Sequence, residues 1–409
     1  MKPQYLLAPL LAIALAACSS LPGHAPAASG PDTLVLVSID GLAARALGRG
    51  NTPHLDALAA EGVQARWMTP SYPSITFPNH YTLVTGLRPD RHGIIHNQME
   101  DDRLGRFELS DRQAVGNPAW WSDAMPIWVQ ASRAGLRTAT YSYPGGEAPI
   151  HGRHADLWQP YDPTLSTQQR VASILDWLGR PQRPHLLATY FEQVDMAGHY
   201  YGPDSEQYAA ALRLVDHAVG ELVDGLRRRG QLDRTNLLVV SDHGMAEVPH
   251  GQVVAVEDMV DPQVARAVSV GQVIGFEPLP GQHQQALAQL VGSHAHHDCW
   301  PREELPARWQ FGSHRRVPAI ICQMHEGWDA NRREVLAHRA PGVRGSHGYD
   351  NTLPSMRAVF IARGPAFARG KVIDPIDNVD VYPLMTRLLG LPAAAHDGDL
   401  RATEAALAR

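Results

Sequence analysis

The sequence predicts an α/β protein in which a mostly parallel central sheet lies between layers of helices. The prediction rests on apolar runs of strand length that lead to acids, on helices alternating with them, and on the lack of any internal repeat. Thr33-Leu-Val-Leu-Val-Ser-Ile39 is apolar almost throughout and ends in Asp40-Gly41. A run without polar alternation marks a strand covered on both faces, as in parallel sheets. Leu186-Leu-Ala-Thr-Tyr-Phe191 has the same form and leads to Asp195, and Asn236-Leu-Leu-Val-Val-Ser241 leads to Asp242-His243.

Helices separate these strands. Thr52-Pro53, followed by Leu55, Leu58 and Gly62, combines a capping threonine, a first-turn proline and a glycine stop. Tyr208, Leu212, Val215, Val219, Leu222 and Leu226 recur at spacings of four and three up to Gly230, which puts them on one helical face. A shorter capped helix is expected from Asp380 to Gly390. Strands alternating with helices make a layered α/β/α arrangement, and ligands in such sheets gather at the carboxyl ends of the strands. Asp40, Asp195 and Asp242 are all expected there. The segment around 246–345, whose His-rich part 293–325 holds Cys299 and Cys322, reads as a small cap or insertion.

The chain has 409 residues, 44% hydrophobic and 19% charged, which suits a globular protein with a sizeable core. Its formal net charge of -6 gives no basic stripe to neutralise phosphates, so no stable nucleic-acid partner is expected.

The N-terminus reads as a secretory leader over residues 1–17: Lys2 precedes an apolar run from Tyr5 to Ala17, too short to span a bilayer. Leu15-Ala-Ala-Cys18 resembles the lipobox of bacterial lipoproteins, which implies lipidation and membrane attachment at Cys18. Ser19 and Ser20, with no Asp after the cysteine, resemble the pattern of outer-membrane lipoproteins on the periplasmic side. Residues 18–31, rich in Ala, Pro, Gly and Ser, form the expected flexible tether, and 32–409 the catalytic domain. Beyond Cys18 only Cys299 and Cys322 remain. In an oxidising compartment such a pair suggests one disulfide; two buried thiols are the other reading.

The chemistry concentrates in a few segments. Asp40 ends its strand, and Pro73-Ser-Ile-Thr-Phe-Pro-Asn-His80 is followed by Asn97 in His92-Gly-Ile-Ile-His-Asn97. Asp195-Met-Ala-Gly-His199, Asp242-His243-Gly244 and His347 in Gly345-Ser-His-Gly348 complete the set. Carboxylate and imidazole without thiolate suit zinc and related divalent metals. A single Asp at a strand end is usually a cap and a single His usually structural. Acids at three strand ends, two of them followed by His at +1 or +4, are hard to explain as independent caps.

These motifs, in this order, resemble the nucleotide pyrophosphatase/phosphodiesterase family of the alkaline phosphatase superfamily. The likeness runs from about Leu34 to Leu391 and is densest over 34–99, 185–203, 237–245 and 341–366. It implies an alkaline-phosphatase-like sandwich and two zinc ions. Asp195, His199 and His347 would hold one zinc; Asp40, Asp242 and His243 would hold the other, with Thr76 also on that metal. Thr76 would be the nucleophile and Asn97 a donor to a phosphoryl oxygen; Phe77 and Tyr161 would stack on a nucleobase and Tyr190 would line the pocket. Tyr161 is placed by its distance to Asp176-Trp-Leu178. Leu42-Ala43 and Val194 depart from the family, which often has Phe-Arg and Pro there, and neither touches an expected ligand.

The parts suit one another chemically. A threonine hydroxyl is a poor nucleophile at neutral pH unless a metal lowers its pKa, and a neutral asparagine donor suits a diester's single charge. No Cys-x-Pro-x-Arg motif of the sulfatases occurs at this loop, and Thr76 is followed by Phe77 rather than by the arginine with which alkaline phosphatases grip a monoester. Ser74 is the competing hydroxyl of the loop. The expected activity is hydrolysis of nucleotide diesters or pyrophosphates to nucleoside 5′-monophosphates through a covalent threonine intermediate, with a small-molecule substrate as partner. A phospholipid headgroup phosphodiesterase of the same family, and an inactive metal-binding lipoprotein, are the other readings.

Overall fold

The computed structural model describes residues 32–408. The expected leader, the lipidation site at Cys18 and the tether lie outside the described residues. The strands of the central sheet are β1 (Thr33–Ile39), β2 (Val63–Ala65), β3 (Thr138–Tyr141), β4 (Leu157–Gln159), β5 (Leu186–Phe191), β6 (Thr235–Val240), β7 (Phe360–Arg363) and β8 (Lys371–Ile373). Across the sheet they run β8-β2-β7-β6-β1-β5-β3-β4. Every neighbouring pair is parallel except those made by β7, which runs antiparallel to both β6 and β2.

The three apolar runs of the sequence are the three central strands, β1 between β5 and β6. Both faces of β1 are covered, which accounts for its unbroken apolar character. Leu34 and Leu36 point into one core with Tyr81, Val84 and Leu384, while Val35, Val37 and Ile39 point into another with Leu55, Ile174 and Leu222. Each such fully buried side chain contributes about 1.5–3 kcal/mol over leaving it in water.

The helices that build the site and its supports are α1 (Pro53–Glu61), α2 (Thr76–Thr85), α3 (Thr167–Gly179), α4 (Gln193–Tyr201), α5 (Glu206–Arg228) and α6 (Val381–Leu388). The α5 positions expected on one face, Tyr208 to Leu226, are all buried, and Asp216, Ala218, Gly220, Val223 and Gly225 widen that face. Gly62 closes α1 for a different reason than a helix stop: its φ is -119°, and a Cβ there would sit 2.2 Å from Ala362 O of β7. Close backbone approach, and not a left-handed turn, demands the glycine.

The cap is a five-stranded antiparallel sheet ordered 265–267, 273–278, 320–324, 297–301, 292–293, which falls within the expected segment of about 246–345. Cys299 and Cys322 stand directly opposite on neighbouring strands and are joined by a disulfide. Among the described residues no helix is long and apolar enough to cross a membrane.

Candidate active site

The carboxyl ends of β1, β5 and β6 and the strand Arg344–Ser346 bring Asp40, Asp195, His199, Asp242, His243 and His347 into one cluster. Asp40 directly follows β1, while Asp242-His243 lies just past the end of β6. Asp195 differs from expectation: it sits in the first turn of α4, where the i, i+4 spacing puts His199 over the same helical face. His347 arrives from far along the chain. A Cβ on Gly345 would lie 2.5 Å from Gly198 O, so only glycine lets that strand approach α4 closely enough for His199 Nδ1 to reach Gly345 O.

The three imidazoles are oriented alike. His199 Nδ1 lies 3.0 Å from Gly345 O, His243 Nδ1 2.9 Å from Gly244 O, and His347 Nδ1 2.9 Å from Ser74 O. A carbonyl only accepts, so each Nδ1 carries the proton and each Nε2 of a neutral ring keeps its lone pair. Those lone pairs are turned on one another and on carboxylates. His199 Nε2 and His347 Nε2 are 3.1 Å apart, and they lie 3.4 Å and 3.5 Å from Asp195 oxygens. His243 Nε2 lies 2.9 Å from Asp242 Oδ2, 3.5 Å from Asp40 Oδ1 and 3.3 Å from Thr76 Oγ1.

Asp40 Oδ1, Asp195 Oδ1 and Asp242 Oδ2 are buried with no hydrogen-bond donor of sound geometry. Buried acceptors without donors are costly, and acceptors facing acceptors are worse, unless a cation lies between them. The electrostatics agree. Burial, then Asp242 and Asp195, raise the Asp40 pKa well above the ordinary carboxylate range. Burial, then His243 and His199, push His347 well below the ordinary imidazole range. Burial opposes ionisation of Asp242 too, but His243 and His80 outweigh it and hold its pKa down. The ligand atoms of Asp195, His199 and His347 lie within 4.8 Å of one another, as do those of Asp40, Asp195 and His243, with Asp242 touching the second group through His243, and both groups fit a divalent metal.

Thr76 opens α2, 7% exposed, with its hydroxyl against His243. Ser74, the competing hydroxyl, is fully buried and donates to Tyr349 O. Asn97 Oδ1 accepts from Phe77 N at 3.0 Å, which commits the amide oxygen and leaves Nδ2 as the free donor. The Phe77 ring packs on Phe107 and Trp121, with centroids 6.0 and 5.9 Å away. Tyr161 is half-buried beside Tyr190, at 6.3 Å, and has no ring contact with Phe77. Tyr190 does more than line a wall: its hydroxyl donates to Asp40 Oδ2 at 2.5 Å.

Two supports escaped the sequence reading. His80, fully buried under the site, lies 2.8 Å from Ser38 Oγ, 2.9 Å from Thr76 O and 3.3 Å from Asp242 Oδ2. Its place four residues after Thr76 on α2 was the available signal. Arg170 of α3 makes a bidentate pair with Glu192, at 2.5 and 2.7 Å, and also donates to Tyr190 O. Nothing local in the sequence couples those two. A further grouping, His294, His297 and Cys299, lies in the cap, where the sulfur is already spent in the disulfide.

With this geometry in view the comparisons are decisive. The family model for type I phosphodiesterase / nucleotide pyrophosphatase matches residues 34–350. The chain belongs to this family. A bis(5′-adenosyl)-triphosphatase of Xenopus laevis is 34% identical over 389 residues, covering 94% of this chain and 84% of that one. An uncharacterized pyrophosphatase/phosphodiesterase of Schizosaccharomyces pombe is 33% identical, covering 90% and 78%. Murine ectonucleotide pyrophosphatase/phosphodiesterase 5 superposes with a TM-score of 0.87 at 32% identity, covering 92% of this chain and 100% of that chain. That structure is an inactive threonine-to-alanine form in complex with AMP. As a type I phosphodiesterase/nucleotide pyrophosphatase the chain is a hydrolase, and its fold is the alkaline-phosphatase-like α/β sandwich.

Proposed function

We propose that the protein is a two-zinc phosphodiesterase that cleaves nucleotide diester or pyrophosphate bonds and releases nucleoside 5′-monophosphates through a covalent intermediate on Thr76. The observation that carries this reading is the meeting of His199 Nε2 and His347 Nε2 at 3.1 Å, both rings pinned by backbone carbonyls, beside the unmatched Asp195 Oδ1. Pinned imidazoles that present lone pairs to each other and to carboxylates are what zinc ligands require. The AMP bound to the murine relative supports a nucleotide substrate, and its inactive threonine variant supports a threonine nucleophile.

Two bound zinc ions would supply Lewis-acid stabilisation of the charge that develops on the attacking and leaving oxygens. The chain's own residues do the rest. Thr76 Oγ attacks phosphorus while the bond to the leaving oxygen breaks, and water later cleaves the Oγ–phosphorus bond, restoring the threonine hydroxyl. Asn97 Nδ2, its amide orientation fixed by the bond from Phe77 N to Oδ1, donates to a non-bridging oxygen. His80 and Tyr190 hold Asp242 and Asp40 in place from behind. Phe77, packed on Phe107, and Tyr161, beside Tyr190, are the rings for the two faces of a nucleobase.

The deciding experiment offers ATP, a nitrophenyl ester of thymidine 5′-monophosphate, a lysophospholipid and a phosphate monoester side by side, before and after chelation. Metal-dependent turnover of the two nucleotides is expected; turnover of the lysophospholipid alone would replace this reading with a lipid one. From Cys18 we infer attachment through an acylated cysteine, on the periplasmic side of an outer membrane.

A further inference from the structure

The end of α4 and the strand Arg344–Ser346 also wall a surface groove of about 740 Å³, lined by Tyr200, Asn331, Glu334, Val335, Arg339 and Arg344 among others. Tyr200 directly follows His199, and Arg344 stands three residues before His347. Three residues of extended chain span roughly 10 Å, so the groove's backbone at Arg344 lies within about that distance of His347.

Arg344 is the unusual member. It is half-buried, yet its guanidinium makes no hydrogen bond or ion pair with any described residue, and the centroid of the Tyr200 ring lies 6.0 Å away. Arg339, on the same groove, is already matched by Asp329 at 2.6 Å. Glu334 is the groove's carboxylate, and it is exposed to water. Burial, then the neighbouring Arg339, lower the Arg344 pKa; the carboxylate that opposes them, Asp329, is already paired with Arg339. Beside it the Tyr200 side chain is 61% exposed, a large ring left in solvent.

A free guanidinium next to an exposed ring suits an anion carried on a flat group: the fork pairs with phosphate oxygens and the ring stacks. The direction of the chemistry points to the same place. Thr76 lies with His243, and in-line displacement sends the leaving oxygen away from the nucleophile, towards the His199–His347 side. We propose that this groove is the leaving-group subsite, in which Arg344 pairs with phosphate and Tyr200 stacks on a base when the departing half of the substrate is itself a nucleotide. The proposal rests on the two-zinc phosphodiesterase reading above.

The test compares the parent with Arg344→Ala, Arg344→Lys, Tyr200→Ala and Tyr200→Phe on two substrates, a dinucleoside triphosphate and the nitrophenyl ester of thymidine 5′-monophosphate. The nitrophenyl group carries no phosphate to pair with Arg344. Arg344→Ala and Tyr200→Ala are each expected to shift the ratio of the two kcat/KM values about ten-fold against the dinucleotide, mostly through KM. Arg344→Lys should recover part of the ratio, and Tyr200→Phe nearly all of it. Equal losses on both substrates, or an unmoved ratio, would overturn the subsite. A parent protein that cleaves neither substrate overturns the phosphodiesterase reading and the subsite with it, an outcome distinct from an unmoved ratio in an active enzyme.

Discussion

The Tyr190 hydroxyl donates to Asp40 Oδ2 across the parallel pair of β1 and β5, in which Tyr190 stands opposite Ser38. The bond occupies one carboxylate oxygen and leaves Oδ1 turned towards His243. Tyr190→Phe keeps the ring and removes the bond. Outer supports of this kind are worth roughly 10–100-fold in metal affinity or activity, so metal retention against a competing chelator is expected to weaken by that order. Nucleotide and base-free diesters should lose activity alike; a loss confined to nucleotides would make Tyr190 only a pocket wall.

Thr76→Ala tests the nucleophile. The six Asp and His groups remain, so zinc content should stay near the parent value while turnover falls by roughly a thousand-fold or more. Full activity in the variant would remove the threonine mechanism.

Chelation tests the metals. About two zinc per chain are expected on elemental analysis, because two ligand groups meet at Asp195, and with Asp242 they offer six Asp and His side chains. Stripping them leaves three buried carboxylates facing one another, so the thermal midpoint should drop by more than about 5 °C and recover when zinc is restored. Full activity with one zinc or fewer would sink the two-metal reading.

Phe77 is 7% exposed and packs on Phe107 and Trp121, so truncating it to alanine would mix binding with a packing defect. Phe77→Leu keeps most of the volume and removes the flat ring. Stacking on a base is worth about 1–3 kcal/mol, so kcat/KM for a nucleotide should fall about ten- to a hundred-fold while a base-free diester falls far less. Equal losses would favour the lipid reading.

Cys18→Ser should leave the protein unanchored in cell fractionation or block its processing. A normally processed variant that still sediments with membranes would overturn the lipobox.

What the sequence determined by itself was local. The apolar runs before Asp40 and Asp242 specify buried parallel strands, because a strand covered on both faces needs no polar alternation. The i, i+4 pair Asp195–His199 and the adjacent pair Asp242–His243 need only a helix turn or a strand end to become ligands. Tertiary structure decided everything carried by long-range contact. His347 reaches His199, 148 residues away, because Gly345, without a Cβ, lets its strand close on the Gly198 carbonyl. Tyr190 meets Asp40 only through strand register, and His80 meets Asp242 only because α2 packs against the end of β6. Asp195 moved from a strand end to a helix turn, and Arg344 was left without a hydrogen-bonded or ion-paired partner among the described residues. Periodicity and capping are written within a few residues of chain, whereas which acceptors face each other and which cation stays unmatched depend on packing between segments that no local pattern relates.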